Sequence, residues 1–319
     1  MCAASSSGRN AGNAPPGAPR RRIRRAALIL SALIALAAAL VFGLLNSEWG
    51  TQALWQLATH ALPGKLAGEV TGGTLADGLQ LRNVLYRDAA RQVKIDRLNA
   101  RWSWSRSPLA LTVDALRIGE IDLTLFPTPP QPLAPPRQIV LPLAIDMRSA
   151  ALQKLLIRRD NSTTAIGDIR LQVRSDGVHH MLTLEHADTP YGTTHARLNL
   201  DGKPPFTTSG AADLNGAWRG ERYRLEMNLS GTLLAPEVQL QASGDRLSGN
   251  AHIEATPFAA VPLRRAQLRL RKLNPQAFDA AAPQAELDID AALTPVNGNA
   301  QAGKDASQLV LAGPVSIRN

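Results

Sequence analysis

Residues 222–229, Arg-Tyr-Arg-Leu-Glu-Met-Asn-Leu, alternate without a break between apolar Tyr223, Leu225, Met227 and Leu229 and polar Arg222, Arg224, Glu226 and Asn228. A period of two is the pattern of a β-strand with one face in water and the other turned away from it. Toward the C-terminus the rhythm continues through Val238, Leu240 and Ala242, then Ala251, Ile253 and Ala255, Leu268 and Leu270, Leu287 and Ile289, and Leu309 and Leu311. Toward the N-terminus it runs back through Ala196, Leu198 and Leu200, Leu182 and Leu184, Ile169, Leu171 and Val173, and Leu141, Leu143, Ile145 and Met147. Beyond a proline-rich break, Pro127 to Pro136, lie three runs: Ile121, Leu123 and Leu125; Leu116 and Ile118; and Leu109, Leu111 and Val113. Proline has no N–H to donate, so the break reads as a loop. Still earlier come Leu98, Ala100, Trp102 and Trp104, then Val93 and Ile95 across a parity change that marks a bulge or turn, and Leu79 and Leu81.

Turn pairs such as Asp176-Gly177 and Asp201-Gly202 punctuate the runs, and the only helix-like interruption is around Asn274 to Ala282. The expected fold is therefore mainly β: a long antiparallel meander of about 17 strands with one apolar face. Soluble proteins rarely expose large contiguous apolar patches, and each buried Leu or Ile contributes ~1.5–3 kcal/mol. The sheet must curl over itself into an open, repeat-like groove, meet a second sheet in a sandwich, or hold an apolar ligand. Aromatics are only 4% of the chain, so any such surface is aliphatic.

Ala26 to Leu45, AALILSALIALAAALVFGLL, is apolar and uncharged over the length a helix needs to cross ~30 Å of hydrocarbon. Arg20, Arg21, Arg22, Arg24 and Arg25 precede it, whereas Glu48 is the only charge between Leu45 and Lys65. That asymmetry predicts a single-pass inner-membrane protein with a cytoplasmic N-terminus and a periplasmic bulk. A cleaved signal peptide is the competing reading, with Ala37-Ala38-Ala39 as its cleavage site. Signal h-regions span only ~7–15 residues, however, and here the apolar run continues to Leu45, so an uncleaved anchor fits better. Trp49 and Trp55 follow at headgroup depth, where indole rings are favoured. Ser47 and Glu48 start a short helix with Leu54, Leu57, Ala58 and Ala61 on one side before Pro63-Gly64. The expected division is a disordered basic tail (1–25), a transmembrane signal anchor (26–45), a short juxtamembrane helix (46–62) and a periplasmic β-groove (63–319).

Six of the nine net positive charges are Arg9 and the five arginines beside the anchor, with no acid among residues 1–25. Topology and anionic lipid headgroups account for them, each arginine near the surface contributing about 1 kcal/mol, and nucleic acid is not an expected partner. Cys2 is the sole cysteine, which excludes an intrachain disulfide and a thiolate zinc cluster. His179, His180 and His186 are the one histidine cluster and, with Asp188, the one metal candidate. Their spacing follows no ligand motif, so a polar turn near Asp176-Gly177 is the reading adopted and neither metal nor cofactor is expected. Asp288 and Asp290 share a face of one strand, a solvated pair rather than an acid and a base. With no nucleophile elbow, P-loop or dinucleotide fingerprint, no enzymatic activity is expected.

Three stretches carry a resemblance: LPGKLAGEVTGGTLADGLQLRNVLYRD (62–88), VKIDRLNARWSWSRSPLALTVDALRIGEIDLTL (93–125) and RLEMNLSGTLLAPEVQLQASGDRLSGNAHIEATPFAAVPLRRAQLRL (224–270). Together with the basic tail and anchor, they resemble the TamB family of AsmA-like proteins, the inner-membrane subunits of the translocation and assembly module. The resemblance implies an apolar β-groove spanning the periplasm toward an outer-membrane barrel partner, TamA. It also implies roles in assembling outer-membrane and secreted protein clients and in moving phospholipid to the outer membrane. The groove lining would be Leu79, Leu81, Val93, Ile95, Leu123, Leu143, Ile145, Leu171, Leu198, Tyr223, Leu225, Met227, Leu229, Leu240, Ile253, Leu268 and Leu270. The chain stops at Asn319, within the strand series and short of the C-terminal part of that family, so it reads as truncated and barrel docking is carried to no residue. The alternative function is a non-transporting structural β-sandwich tethered to the membrane.

The arginine asymmetry predicts the outcome of a protease-accessibility experiment. Protease added to spheroplasts should digest the part beyond Gly50 and spare a tag at the N-terminus. A soluble mature chain beginning near Leu40 would overturn the anchor.

Overall fold

In the computed structural model the described residues are 47–61, 64–106, 109–127, 134–160, 162–218, 220–245, 248–259, 261–273, 285–296 and 310–319. The expected anchor at 26–45, the five arginines beside it and the helix-like stretch at 274–282 lie outside or largely outside them. Among the described residues no helix is long and apolar enough to cross a membrane.

Among the described residues one helix, α1 (Glu48–Ala61), precedes the strands. Ser47 Oγ accepts the Gly50 N–H at 3.0 Å, satisfying one of the donors a helix start leaves open, and Glu48 places negative charge at the positive end of the dipole. The helix lies against β1 (Lys65–Thr74), where Trp55 Nε1–H donates to the Gly68 carbonyl at 3.1 Å.

Fifteen further strands complete a single 16-stranded sheet: β2 (Gly78–Arg87), β3 (Arg91–Arg106), β4 (Leu109–Leu125), β5 (Ala144–Arg159), β6 (Ser162–Ser175), β7 (His179–Thr189), β8 (Gly192–Asp201), β9 (Thr208–Trp218), β10 (Glu221–Thr232), β11 (Ala235–Gly244), β12 (Ser248–Ala255), β13 (Leu263–Leu273), β14 (Leu287–Pro295), β15 (Leu311–Ala312) and β16 (Val315–Arg318). Strand order in space is strand order in sequence, except that β15 and β16 share the far side of β14. Asp176-Gly177 and Asp201-Gly202 sit in turns as expected; Asp176 Oδ1 accepts the Val178 and His179 N–H groups at 2.8 and 2.7 Å. Packing runs between hydrogen-bonded neighbours, so no second sheet covers either face among the described residues. The core is correspondingly thin: among the described apolar residues only Leu81, Val84, Val113, Ala150, Ala187 and Phe206 are buried.

The structure departs from the sequence reading in two ways. The runs at Leu109–Val113, Leu116–Ile118 and Ile121–Leu125 are not separate strands but one 17-residue strand, β4. Their parity changes are irregularities inside the strand, matched in its neighbours. Ile95 pairs with Ile121 and Leu98 with Ile118, so both strands change parity at the same place. Leu152/Leu155 in β5, opposite Ile118/Ile121, continues the line. Asn83 in β2 and Asp168 in β6 adopt left-handed φ of 53° and 41° on it, which short side chains able to bond their own backbone tolerate best. In β3, Asp96 Oδ1 accepts the Glu120 N–H at 2.7 Å, and a Cβ on Gly119 would strike the same carboxylate. These irregularities form a seam across the sheet.

The second departure is direction: β4 and β5 are parallel, whereas the meander was expected to be antiparallel throughout. Parallel neighbours need a crossover of a dozen or more residues, and the proline-rich segment between Leu125 and Ala144 supplies one. Its last part runs along the ends of later strands. Ile139 N–H donates to Gly202 O at 2.7 Å, Leu141 N–H to Gly177 O at 2.8 Å, and His180 Nε2 meets Ile139 O at 2.7 Å. Leu141 and Leu143, expected inside a strand, therefore precede β5.

Three acid–base pairs stitch the parallel junction, with the acid always on β4: Asp114–Arg148 (2.9 Å), Glu120–Lys154 (3.4 Å) and Asp122–Arg158 (3.0 Å). Such half-exposed pairs contribute only about 0–1 kcal/mol each, but they discriminate between registers. Replacing Arg148, Lys154 and Arg158 together by Glu should loosen this junction by roughly 1–3 kcal/mol, read as faster amide exchange in β4 and β5. Adding Asp114→Lys, Glu120→Lys and Asp122→Lys should restore protection. Failure of the swapped set to restore it would mean the pairs do not set the register.

Candidate functional site: the apolar face of the sheet

Residues directly opposite one another in paired strands share a face, so the register sorts side chains into rows that cross the sheet. One row is apolar over fourteen strands: Leu79, Ala100, Leu116, Ala150, Leu171, Leu184, Ala196, Ala212, Met227, Leu240, Ala251, Leu268, Ala291 and Val315. Alanine recurs between larger residues, which keeps the row low and narrow. A second row runs from Trp102 through Val113, Met147, Val173, Leu182, Leu198, Gly210, Leu229, Val238, Ile253 and Ala266 to Leu293. A third links Leu214, Leu225, Ala242, Gly249, Leu270, Ile289 and Ile317. Leu225, Met227 and Leu229 are spaced by two on β10, so the three rows lie side by side on one face there.

The intervening row on the other face is polar: His195, Asp213, Glu226, Gln241, Asn250, Arg269, Asp290 and Ser316. A recess of about 920 Å³ lies on this polar side of β6 to β10, lined by Arg174, Met181, Glu185, Arg197, Asp213 and Glu226 among others.

The rows collect Leu79, Leu171, Leu198, Leu225, Met227, Leu229, Leu240, Ile253, Leu268 and Leu270 of the residues singled out in the sequence. Leu81 joins a shorter apolar row with Leu98, Ile118, Leu152 and Ile169; Ile95 joins Val84, Ile121, Leu155 and Ile166; Val93 and Leu123 face each other. Ile145 pairs with Leu111 on one side and Ser175 on the other. Tyr223 stands between Gly216 and Gly244, where its hydroxyl donates to Tyr191 O at 2.5 Å. Leu143 is outside the ladder. Ala150 and Val113 are the buried members of the rows, most of the others are half-buried, and Leu182 and Leu198 keep 37% and 36% of their surface in solvent. Trp49 is 72% exposed, while the Trp55 indole is engaged with β1.

The titratable candidates disperse. His179 Nδ1 sits 2.8 Å from Asp176 Oδ2. The His179 ring, with the His179 and Val178 N–H groups, holds the Asp176 carboxyl well below its ordinary range, and Asp176 raises the His179 imidazole in turn. His180 bridges Ser175 Oγ (2.8 Å) and Ile139 O, which pins the crossover segment to β7. His186 instead meets Asp188 and, from β6, Asp168. Asp290 is held low by its hydrogen bond to Arg271 Nη2 (2.8 Å), and Asp288 accepts the Lys272 N–H at 3.1 Å, so this pair serves ion pairing and backbone satisfaction. The apolar rows were legible in the alternation; the meeting of His186 with Asp168 was not, because it depends on the β6–β7 register.

Residues 36–189, ending with β7, match the family model described as TamB, N-terminal domain. No curated protein matches the chain. No solved structure matches it either. Over residues 36–189 this chain is similar to the N-terminal domain of TamB.

Proposed function

We propose that this chain is an inner-membrane-anchored, non-enzymatic envelope protein acting in outer-membrane biogenesis, whose apolar rows carry phospholipid acyl chains across the periplasm toward an outer-membrane barrel partner of the TamA kind. The family match supports the place in outer-membrane biogenesis. The observation that supports the lipid reading is the row from Leu79 to Val315, apolar on every strand it crosses and without a second sheet over it among the described residues. An acyl methylene leaving water for such a surface gains about 0.8 kcal/mol. Neighbouring strands repeat every ~4.8 Å and present the same chemistry, so that gain is nearly constant from strand to strand. A chain held this way meets no charged barrier, while its headgroup stays in water. Curling of the sheet about its apolar face, as a groove, would cover the acyl tails. Exposed Trp49 and the arginines from Arg20 to Arg25 would fix the entry end at the inner membrane.

Photocrosslinking on β10 tests the proposal. A crosslinker at Leu225 or Met227 should capture phospholipid in cells, and one at Arg224 or Glu226 should not. Leu225→Asp places a carboxyl in the track, whose burial costs several kcal/mol charged or neutral, and should block transfer while the ladder bonds persist. Adducts only to polypeptide clients at Leu225 would replace lipid transport with protein assembly. No adducts together with loss of folding in Leu225→Asp would favour a closed sandwich.

A further inference from the structure

On the face opposite the track, the seam brings together side chains from three strands. Asp168 comes from β6, His186 and Asp188 from β7, and His195 from β8. We propose that Asp168, His186 and Asp188, with His195 as fourth ligand, form a binding site for a divalent transition-metal ion of the zinc class.

The distances favour a shared ion over a simple ion pair. His186 Nε2 lies 3.2 Å from Asp188 Oδ1 and 3.6 Å from Asp168 Oδ2, and one ligand atom from each residue falls within 4.8 Å of the others. A charge-assisted hydrogen bond would draw nitrogen and oxygen to about 2.7–2.9 Å, as His179 and Asp176 show at 2.8 Å. Zinc–nitrogen and zinc–oxygen bonds of ~2.0–2.2 Å set the edges of a tetrahedron at roughly 3.3–3.6 Å. The observed separations bracket that edge.

The supporting groups hold the ligands as a metal site requires. Thr193 Oγ1–H donates to Asp188 Oδ1 at 3.1 Å. Arg170 holds Asp168 through both oxygens, Nη2 to Oδ2 at 2.7 Å and Nε to Oδ1 at 3.1 Å, and each carboxylate oxygen so bound keeps a second lone pair for a cation. The left-handed backbone at Asp168 takes its side chain out of the strand's regular alternation at the seam. His195 Nδ1 faces Asp213 Oδ2 at 3.2 Å, and Asn215 Nδ2–H holds the same oxygen at 2.8 Å. A carboxylate at Nδ1 fixes the tautomer that leaves Nε2 as the ligand atom. The His186 and His195 rings meet edge to face with centroids 6.1 Å apart. Two imidazoles on one tetrahedral ion stand roughly 5 Å apart, so the His195 ring would have to move toward His186 to become the fourth ligand. Two carboxylates neutralise the ion, and hard magnesium, which prefers six oxygens, is disfavoured.

The test is calorimetric titration of the full-length chain, in detergent, with zinc chloride, alongside the visible spectrum of the cobalt(II) form. One saturable site, intense tetrahedral cobalt bands and no competition from millimolar magnesium are expected. His186→Gln should lower zinc affinity at least tenfold, Asp213→Asn should lower it about 10–100-fold through His195, and His179→Gln should leave it unchanged. Circular dichroism of each variant separates lost ligands from lost fold. No saturable zinc uptake, a pale six-coordinate cobalt spectrum, or full affinity in well-folded His186→Gln would overturn the site.

Discussion

A backbone N–H or C=O inside a sheet is satisfied by the strand beside it, and in this chain that strand is almost always the next one in sequence. The remaining architecture follows from that constraint. With pairing running in one direction and no second layer among the described residues, no packed interior forms, and the six buried apolar residues are scattered over β2, β4, β5, β7 and the loop before β9. Stability comes from summed nearest-neighbour interfaces, as in repeat proteins, and not from one core. Apolar side chains that another fold would bury in a core are left as a surface that crosses the molecule. The N-terminal domain match ends at Thr189, the last residue of β7, yet the apolar row continues unchanged through β8 to β14 and β16. The chemistry of that face is therefore a property of the whole sheet.

The two faces divide the physical tasks. The apolar rows are built chiefly of Leu, Ala, Val, Ile and Met and carry no charge. The polar face is particular: acid–base pairs across β4 and β5, and carboxylates and imidazoles gathered where the strands change parity. Specific interactions on one side set the register that keeps the other side continuous. A slip of one residue in a strand would turn its apolar side chains to the other face and bring polar ones into the rows.

Much of this was legible in the sequence because a half-exposed sheet writes its faces into alternate residues, as Tyr223 to Leu229 do. Strand direction was not, since alternation reads the same both ways; only the length of the segment between Leu125 and Ala144 hinted at the crossover. The parity change between Ile95 and Leu98 was visible, but whether such a change ends a strand depends on whether its neighbours change with it, as Ile118/Ile121 and Leu152/Leu155 do. Sequence proximity grouped His186 with His179 and His180, whereas the β6–β7 register carries it to Asp168, eighteen positions away.

The identity of spatial and sequential order also governs how the protein is made. As the chain emerges in synthesis β1 appears first, then β2, then β3, and each arriving strand finds its partner already in place. Growth of the sheet can therefore keep pace with delivery of the chain, each new hairpin closing a short loop at small entropic cost. The crossover is the exception. Its hydrogen bond from Ile139 to Gly202 needs the end of β8, so the Ile139 N–H must wait for that partner while four further strands are delivered. During that interval the proline-rich segment guards itself, because a backbone poor in N–H donors is a poor template for pairing with another chain.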